Sequence, residues 1–236
     1  MIRFKKKLSV IIPVYNEKNT IEKLLNKIHK LSDIKKEIIV VDDASNDGST
    51  NILKKSKKKI TKLIHHKKNL GKGAAIKSAQ KFVKGNVVII QDADLEYDPA
   101  DYHKLLNFIN KGYKVVYGSR VLGKNRYLLK NFSSIARIFF NHVLTFTSNL
   151  LNNQKLTDAH TCYKMFDSNL FLKIRLEEND FSFCPEITTK ISKLGYKIDE
   201  VEISYQGREY AQGKKIKFYD GLKALYVLIK YGIIKK

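Results

Sequence analysis

Short apolar runs alternate with helical periodicities along the first half of the chain. Residues 9–14 and 37–41 are β-branched runs that end in polar residues, and apolar residues between 21 and 28 recur at three- and four-residue spacing. Such runs are typical of buried strands, and such spacing is typical of a helix. The pattern predicts a βαβ unit at the start of the chain.

The same alternation continues to about residue 118. Strands are predicted over 62–65, 86–91 and 114–118, and helices over 71–83 and 99–110. Strands buried on both faces that alternate with helices predict an α/β fold with a mostly parallel central sheet flanked by helices. Ligands of such sheets bind beyond the carboxyl ends of the strands. We therefore look for the functional residues just after the strands.

The organisation changes after residue 120. Strands over 161–166 and 197–204 and a helix over 186–194 are predicted there, with amphipathic helices over 131–151 and 218–231. An apolar stripe beside Lys and Arg fits a helix that lies on an anionic membrane surface, but it also fits a helix that packs on the sheet. We expect packing for the final helix and keep both interpretations for 131–151. One domain over 1–236 is expected.

Charge and cysteine content restrict the partners and the compartment. The 45 Lys and Arg against 23 Asp and Glu give a formal charge of +22, which favours a nucleic acid, an anionic membrane or a phosphorylated substrate. A solvated lysine-rich surface, as in 54–59, is the alternative. Cys162 and Cys184 form no CxxC motif, so we expect a reducing, cytoplasmic compartment and no zinc site. No apolar run reaches the ~18–20 residues of a spanning helix.

The acidic run QDADLE follows the predicted strand over 86–91. Asp92, Asp94 and Glu96 point to one side if the extended backbone continues. Three crowded carboxylates repel one another unless a cation lies between them, and carboxylates with diphosphate oxygens are typical ligands of Mg²⁺ or Mn²⁺. The alternative is an acidic turn that caps the next helix, for which Asp98 suffices.

Two further strand ends carry polar residues. Asp42 and Asp43 can accept hydrogen bonds from a base or a ribose, or can serve the turn that follows them. The segment 69–73, NLGKG, precedes a helix and offers backbone N–H groups to a phosphate, or simply forms a tight loop. It lacks the spacing of a P-loop.

Taken together, SVIIPVYNE, EIIVVDDASNDGST, NLGKGAAIKSA, VVIIQDADLEYDP and VVYGSR resemble the family 2 glycosyltransferases of GT-A fold over about the first 120 residues. The later segments TDAHTCYKMF, FCPEITTKISKLGYKIDEVEISY and GREYAQGKKIKFYDGLKALY are similar, more loosely, to the branch that includes dolichyl-phosphate mannose synthase and bacterial polyprenyl-phosphate glycosyltransferases. The resemblance implies a nucleotide-sugar-binding part over 1–120 and an acceptor- and membrane-facing part over 121–236.

The resemblance also implies a role for each matched residue. Its donor-binding residues correspond to Pro13, Tyr15, Glu17, Asp42, Asp43, Asp92, Ala93 and Arg120, and its metal ligands to Asp92, Asp94 and Glu96. Arg208 and Lys214 match a cationic pair that closes over the diphosphate. Such cations stabilise the negative charge that grows on the leaving group as the sugar bond breaks.

The acceptor decides what a further acidic residue would do. Asp158 corresponds to the branch's general base or acceptor-orienting residue, and Glu186 is a weaker candidate that also fits an ordinary first-turn carboxylate. A sugar hydroxyl must lose a proton during attack, whereas a lipid phosphate is already anionic. The resemblance implies metal-dependent, inverting transfer from a UDP- or GDP-linked sugar. Its expected acceptor is dolichyl or undecaprenyl phosphate, and the alternative is a hydroxyl of a surface polysaccharide or lipid-linked glycan.

Two other function classes fit the chain less well. A basic nucleic-acid-binding module would account for the charge of +22, but carboxylates at three strand ends would repel a phosphate backbone. A nucleotidyltransferase is expected to carry a glycine-rich loop after its first strand, where this chain has PVYNE. We therefore expect a nucleotide-sugar enzyme, peripheral on the cytoplasmic face of a membrane, and no nucleic-acid partner.

Overall fold

The structure, a computed structural model, describes residues 4–123, 132–208 and 218–234, without the side chains of 4, 5, 132–138 and 218. Its strands are β1 (Phe4–Val14), β2 (Ile34–Asp42), β3 (Lys62–His65), β4 (Val87–Ile90), β5 (Val115–Ser119), β6 (Lys164–Asp167) and β7 (Asp199–Glu202). They form one sheet in the order β3-β2-β1-β4-β6-β5-β7. Because β6 and β7 belong to this sheet, the parts before and after residue 120 share it.

Helices connect the strands. They are α1 (Ile21–Lys30), α2 (Ser49–Lys55), α3 (Lys72–Gln80), α4 (Tyr102–Asn110), α5 (Phe132–Asn152), α6 (Ser168–Lys173), α7 (Phe183–Lys193) and α8 (Phe218–Ile229), with 3₁₀ turns at Lys57–Lys59 and Pro99–Asp101 and a π-helical turn at Lys230–Ile234. The short helices α2 and α6 were not predicted from the sequence, because neither is long enough to show a clear apolar period.

Strand direction confirms a mostly parallel sheet, with one exception. The pairs β1–β2, β1–β4, β2–β3 and β5–β7 are parallel. Strand β6 runs antiparallel to both of its neighbours, β4 and β5. A short apolar run carries no information on direction, so the sequence predicted a strand near β6 without its orientation.

Both faces of the sheet are buried. Successive side chains of β1 alternate between two apolar clusters: Val10 and Ile12 pack with α1 and α4 on one face, and Ile11 packs with α3 and α7 on the other. This alternation explains why the strands read as continuous apolar runs rather than as alternating patterns.

The helices α5 and α8 pack mainly on each other and on α7. Leu144 of α5 and Leu228 of α8 form the centre of their contact. Each helix also exposes large apolar side chains, a set we call the exposed apolar face: Phe139, Val143, Phe146, Leu150, Tyr219, Leu222, Tyr226 and Ile229. The expectation that the apolar stripe of the final helix packs on the sheet is therefore wrong for Leu222, Tyr226 and Ile229. None of the helices in the described residues is long and apolar enough to span a bilayer.

Candidate active site at the carboxyl edge of the sheet

The candidate site lies where β1, β2 and β4 end. Parallel pairing aligns Val14 with Asp42 and Ile11 with Ile90, so the segments that follow these three strands emerge at one edge. The edge carries the carboxylates expected from the sequence. We call Glu17, Asp92, Asp94 and Glu96 the carboxylate cluster.

A turn gathers the acidic run after β4. The strand ends at Ile90, Leu95 has a left-handed φ of 65°, and the Glu96 N–H donates to Asp94 Oδ1 at 3.0 Å. The expectation that extended backbone carries the three carboxylates to one side is therefore wrong, because the chain turns after Asp94. The charges are nevertheless close. Burial and the negative charges of Asp92 and Glu96 raise the pKa of Asp94 to about 7.

Arg208 lies across the carboxylate cluster. Its two terminal nitrogens donate to the Glu17 carboxylate at 3.1 and 3.0 Å, and one of them lies 3.3 Å from Asp94 Oδ2. Its Nε lies 3.8 Å from Glu96 Oε1 and has no hydrogen-bond partner in the part of the chain that the structure describes. Desolvation lowers the pKa of Arg208, but these carboxylates outweigh it and raise the pKa above its ordinary value. Arg208 is thus a charged guanidinium among carboxylates.

Glu96 fixes the segment that presents Arg208. Its carboxylate accepts from the Tyr205 hydroxyl at 2.8 Å and from the Arg208 backbone N–H at 2.8 Å. Its backbone carbonyl accepts from Gln206 N–H at 2.9 Å, and Tyr97 forms a bridge with Tyr205. The segment 205–208, which follows β7, is therefore held against Glu96 and Tyr97.

Lys72 holds Asp92, a contact that the sequence did not indicate. The Lys72 ammonium pairs with Asp92 Oδ1 and lies 3.0 Å from Cys162 Sγ, with the Lys72 side chain only 8% exposed. Desolvation lowers the pKa of Lys72, but the Asp92 charge more than compensates, and the pKa lies above its ordinary value. The sequence suggested only backbone N–H groups of this loop as phosphate ligands, and the Lys72 side chain pairs with Asp92.

Asp42 and Asp43 are engaged within the protein. Asp42 accepts from the Thr50 hydroxyl at 2.5 Å and from Ser45 N–H at 3.1 Å. Burial alone would raise the pKa of Asp42, but these hydrogen bonds outweigh it and lower the pKa. Asp43 accepts from the N–H groups of Leu70 and Gly71 at 2.9 and 2.7 Å. These contacts support the turn interpretation, and a role toward the nucleoside stays a prediction.

The loop 69–73 is built for close packing. A Cβ on Gly71, whose φ is +96°, would lie 2.5 Å from the Asn179 carbonyl oxygen, and one on Gly73 would lie 2.4 Å from that of Glu178. Asp43 takes the Leu70 and Gly71 N–H groups, and Asn179 takes that of Ala74. These contacts favour the tight-loop alternative for NLGKG, because the close packing of both glycines and the acceptors found for the N–H groups of Leu70, Gly71 and Ala74 lie within the protein.

The segment after β1 is tied to the segment after β2. Asn16 N–H donates to Ser45 Oγ at 3.0 Å, and Glu17 N–H donates to Ser49 Oγ at 2.8 Å. This cross-link places Glu17 within reach of Arg208.

The structure places three further candidates of the resemblance without showing their role. Pro13 and Tyr15 are half-buried at the end of β1, and Ala93 is buried in the core. Their roles in donor binding stay predictions. Lys214 lies outside the described residues.

Asp158 and Arg120 form a buried pair beside the cluster. Arg120 Nε and NH2 donate to the two oxygens of Asp158 at 2.7 and 2.8 Å, and Asn141 of α5 donates at 3.3 Å. Burial raises the pKa of Asp158, but the Arg120 charge outweighs it and holds the pKa far below its ordinary value. A carboxylate held in this way is a weak base, so the geometry favours the orienting role over the general base.

Glu186 has a structural environment. Its carboxylate is fully buried and accepts from the N–H groups of Glu177 and Glu178 at 2.6 and 2.9 Å, with Lys190 at 2.7 Å. These contacts fit a carboxylate that organises the start of α7. Asp98, by contrast, caps the 3₁₀ turn through Ala100 N–H at 3.0 Å, as the sequence suggested.

We expect Asp158→Asn to lower the free energy of unfolding by about 3 kcal/mol, because it leaves the Arg120 guanidinium without its counter-charge. The depressed pKa of Asp158 gives wild-type stability that is present above the unfolded-state pKa and lost as the pH falls into the acid range. Urea denaturation at several pH values measures both effects. Asp33→Asn breaks the more exposed contact with His103 and is the control, expected to cost under about 1 kcal/mol. Equal losses in the two variants would contradict the prediction.

The carboxylate cluster fits a divalent cation. It offers hard oxygen ligands, the kind that Mg²⁺ and Mn²⁺ prefer, and Asp94 carries a raised pKa that an added cation would relieve. With all four carboxylates ionised, the charges of Lys72 and Arg208 leave two negative charges on the cluster. Among the described residues no three metal-ligating side chains converge as a metal site, and Arg208 lies between Glu17, Asp94 and Glu96.

Comparison with known proteins decides the family. The model of the glycosyl transferase family 2 matches residues 9–175. The chain is a family 2 glycosyltransferase. This match confirms the expected family, and a glycosyltransferase activity follows from it.

Relatives and solved structures place the glycosyltransferase more closely. It is 30% identical over 231 residues to the uncharacterized protein MJ1222 of Methanocaldococcus jannaschii, covering 95% of this chain and 92% of the relative. It is 37% identical over 116 residues to the dolichol-phosphate mannosyltransferase of Pyrococcus furiosus, covering 48% of this chain but only 33% of that enzyme. The match to the dolichol-phosphate mannosyltransferase supports the polyprenyl-phosphate branch.

The fold is that of GT-A glycosyltransferases. Glucosyl-3-phosphoglycerate synthase of Mycobacterium tuberculosis, solved with Mn²⁺ and UDP-glucose, superposes with a TM-score of 0.72 over 96% of this chain and 79% of the other, at 16% identity. At this identity the likeness establishes the fold alone. The expected GT-A fold is confirmed.

Proposed function

We propose that this glycosyltransferase moves a sugar from a nucleotide-diphosphate donor to a polyprenyl phosphate, with a divalent metal ion and with inversion at the anomeric carbon. The observation that carries the proposal is the carboxylate cluster at the carboxyl edge of the sheet, with Arg208 docked on it. The relative from P. furiosus, a dolichol-phosphate mannosyltransferase, supports the acceptor class, and the Mn²⁺ and UDP-glucose in the M. tuberculosis structure support the metal and the donor.

Each part of the site has a chemical task in this reaction. Asp94 and Glu96, with Asp92 held by Lys72, would hold Mg²⁺ or Mn²⁺, which supplies Lewis-acid stabilisation of the leaving diphosphate. Arg208 lies close enough to add a second positive charge there, where negative charge grows in the transition state. Lys214 is expected to act with it.

The Asp158–Arg120 pair favours a phosphate acceptor over a hydroxyl. A hydroxyl needs a base, and Asp158 is ion-paired with its pKa depressed. A lipid phosphate needs positioning rather than deprotonation. Transfer to a hydroxyl of a surface polysaccharide or lipid-linked glycan remains the alternative acceptor class that an assay must include.

A panel of nucleotide sugars tests the donor and acceptor together. UDP- and GDP-linked sugars are incubated with the enzyme and Mg²⁺ or Mn²⁺, with polyprenyl phosphate, with a glycan that offers free hydroxyls or with neither acceptor, and nucleoside diphosphate release is measured. We expect release that requires the metal and accelerates with polyprenyl phosphate. Acceleration by glycan hydroxyls alone would refute the lipid acceptor, and no release from any donor under any condition would refute the proposal as a whole.

The exposed apolar face gives this enzyme a surface suited to a bilayer. Phe139, Phe146 and Leu150 of α5 are 69, 70 and 73% exposed, and Tyr219 and Tyr226 of α8 are 71 and 60% exposed. Large exposed apolar patches mark interaction sites, and aromatic residues with a net charge of +22 suit an anionic lipid interface. Because Asn141 on α5 contacts Asp158, the helix that would meet lipid also reaches the site. We infer peripheral binding on a cytoplasmic membrane face.

We expect the enzyme to float with anionic liposomes at low salt and to release at high salt, because each basic residue near the surface contributes about 1 kcal/mol. Phe139→Glu and Phe146→Glu should each weaken binding about tenfold or more, since each replaces an inserted ring by a charge. Leu172→Glu on α6, 45% exposed, is the matched control and should bind normally. Absence of binding to any liposome, or association of the protein with itself instead, would contradict the membrane surface and weaken the lipid acceptor.

A further inference from the structure

Two cations contact the carboxylate cluster, and they are held differently. Lys72 belongs to α3, is 8% exposed, and is fixed by Asp92 and by Cys162 on another segment. Arg208 is 17% exposed and follows β7 outside any helix or strand. The Lys72 side chain is therefore held from a helix by two partners, whereas the Arg208 guanidinium could move away from Glu17 without disturbing a helix or strand, although the backbone of its segment is docked on Glu96.

The position of Arg208 resembles that of a bound cation. Its guanidinium lies between Glu17, Asp94 and Glu96, with nitrogen–oxygen distances of 3.0, 3.3 and 3.8 Å. Its Nε is buried without a hydrogen-bond partner in the described residues, so part of its donor capacity is unused. A better-placed anion would satisfy that donor.

We propose that Arg208 is an exchangeable internal cation that occupies the metal position in the free enzyme, and that Glu17 is the positioning residue that holds it there. The inference rests on the proposed function, because it assigns the carboxylates to a divalent metal ion. Arg208 and the metal then compete for Asp94 and Glu96. A diphosphate offers Arg208 a new anionic partner, so the donor favours the exchange.

The exchange has a thermodynamic consequence. If the diphosphate draws Arg208 away from the carboxylates, it must strengthen metal binding, and by linkage the metal must strengthen diphosphate binding by the same factor. Coupling between two sites is typically about 5- to 150-fold. In the absence of a donor, the metal ion should therefore bind the enzyme weakly.

Removing the internal cation should free the metal position. We expect Arg208→Gln to bind Mn²⁺ alone about tenfold more tightly than the wild type, measured as free Mn²⁺ by electron paramagnetic resonance without nucleotide. UDP or GDP should strengthen Mn²⁺ binding about tenfold in the wild type and much less in the variant. Lys27→Gln removes the same charge from an exposed pair with Asp98 that does not touch Arg208, and should behave as the wild type.

The outcomes separate the inference from the proposed function. Equal Mn²⁺ affinity of wild type and Arg208→Gln, with metal and nucleotide binding otherwise intact, would overturn the internal cation alone. Absence of Mn²⁺ binding in every protein, with UDP or GDP present, would overturn both. Arg208→Lys keeps the charge but loses the two-point contact with Glu17, so its Mn²⁺ affinity should lie between those of the wild type and Arg208→Gln. If circular dichroism shows that Arg208→Gln unfolds at a lower temperature, the affinity of Arg208→Lys tests the internal cation instead.

Discussion

Asp94→Asn is expected to abolish metal-dependent donor binding and to lower turnover by about a thousandfold or more, while the fold persists. The change removes a hard anionic ligand and the several kcal/mol of metal-assisted charge stabilisation that depend on it. It leaves the packing unchanged, because asparagine has nearly the same shape and volume as aspartate and Asp94 lies at the edge of the sheet. Calorimetry with UDP or GDP, with and without Mn²⁺, measures the loss.

Asp98→Asn is the matched control for this substitution. Asp98 lies two residues after the acidic run, caps the turn at Pro99–Asp101 and pairs with Lys27. It should cost at most about 1 kcal/mol of stability and leave metal-dependent binding unchanged. Unchanged metal-dependent affinity in Asp94→Asn would show that the metal ligands lie elsewhere.

Arg208→Ala should lower kcat by about a hundredfold or more and weaken donor binding much less. Charge on the leaving diphosphate is largest in the transition state, so a cation that meets it there contributes mainly to turnover. Because Arg208 also pairs with the carboxylates of the free enzyme, its removal takes away a competitor of the metal, which further protects donor binding. Steady-state kinetics and equilibrium titration of the same preparation separate the two effects.

Lys214→Ala is expected to act in the same direction, from the resemblance alone. Lys27→Ala serves as the control for a lost surface charge and should leave both parameters unchanged. If Arg208→Ala reduced donor affinity and turnover by the same factor, uniform ground-state binding would replace transition-state stabilisation as the role of Arg208.

Local chemistry made the first half of the chain predictable from the sequence. Apolar runs with helical spacing between them identified β1, α1 and β2, and parallel pairing then brought Asp42 and Asp92 to one edge. The acidic residues at strand ends were conspicuous because nothing in a core requires them. Such signals act over a few residues, which is the range a single sequence shows best.

Contacts between distant segments could not be predicted. Arg208 meets Glu17 across 191 residues, and Lys72 meets Cys162 across 90 residues. In a chain with 45 Lys and Arg residues, the sequence does not indicate which acidic residue each of them contacts. Likewise, the left-handed turn occurs at Leu95 rather than at a glycine, so the sequence predicted extended backbone for the acidic run.

The exposed apolar face shows a third limit. A helical stripe of apolar residues is the same in sequence whether it packs on protein or on lipid. The helix α8 presents Ala224 and Leu228 to its neighbours and leaves Tyr226 60% exposed, and only the packing reveals which side is covered. The sequence gives the net charge of the chain, and the structure adds which apolar side chains are exposed.

Crystals grown with Mn²⁺ and a nucleoside diphosphate test the central claim most directly. Anomalous scattering at the manganese edge locates the metal without reference to the protein coordinates. The account predicts one strong peak at coordinating distance from Asp94 or Glu96, with the Arg208 guanidinium moved from Glu17 to the diphosphate. A peak at any other group of residues, with Arg208 still paired to Glu17 and the nucleotide bound, would contradict it.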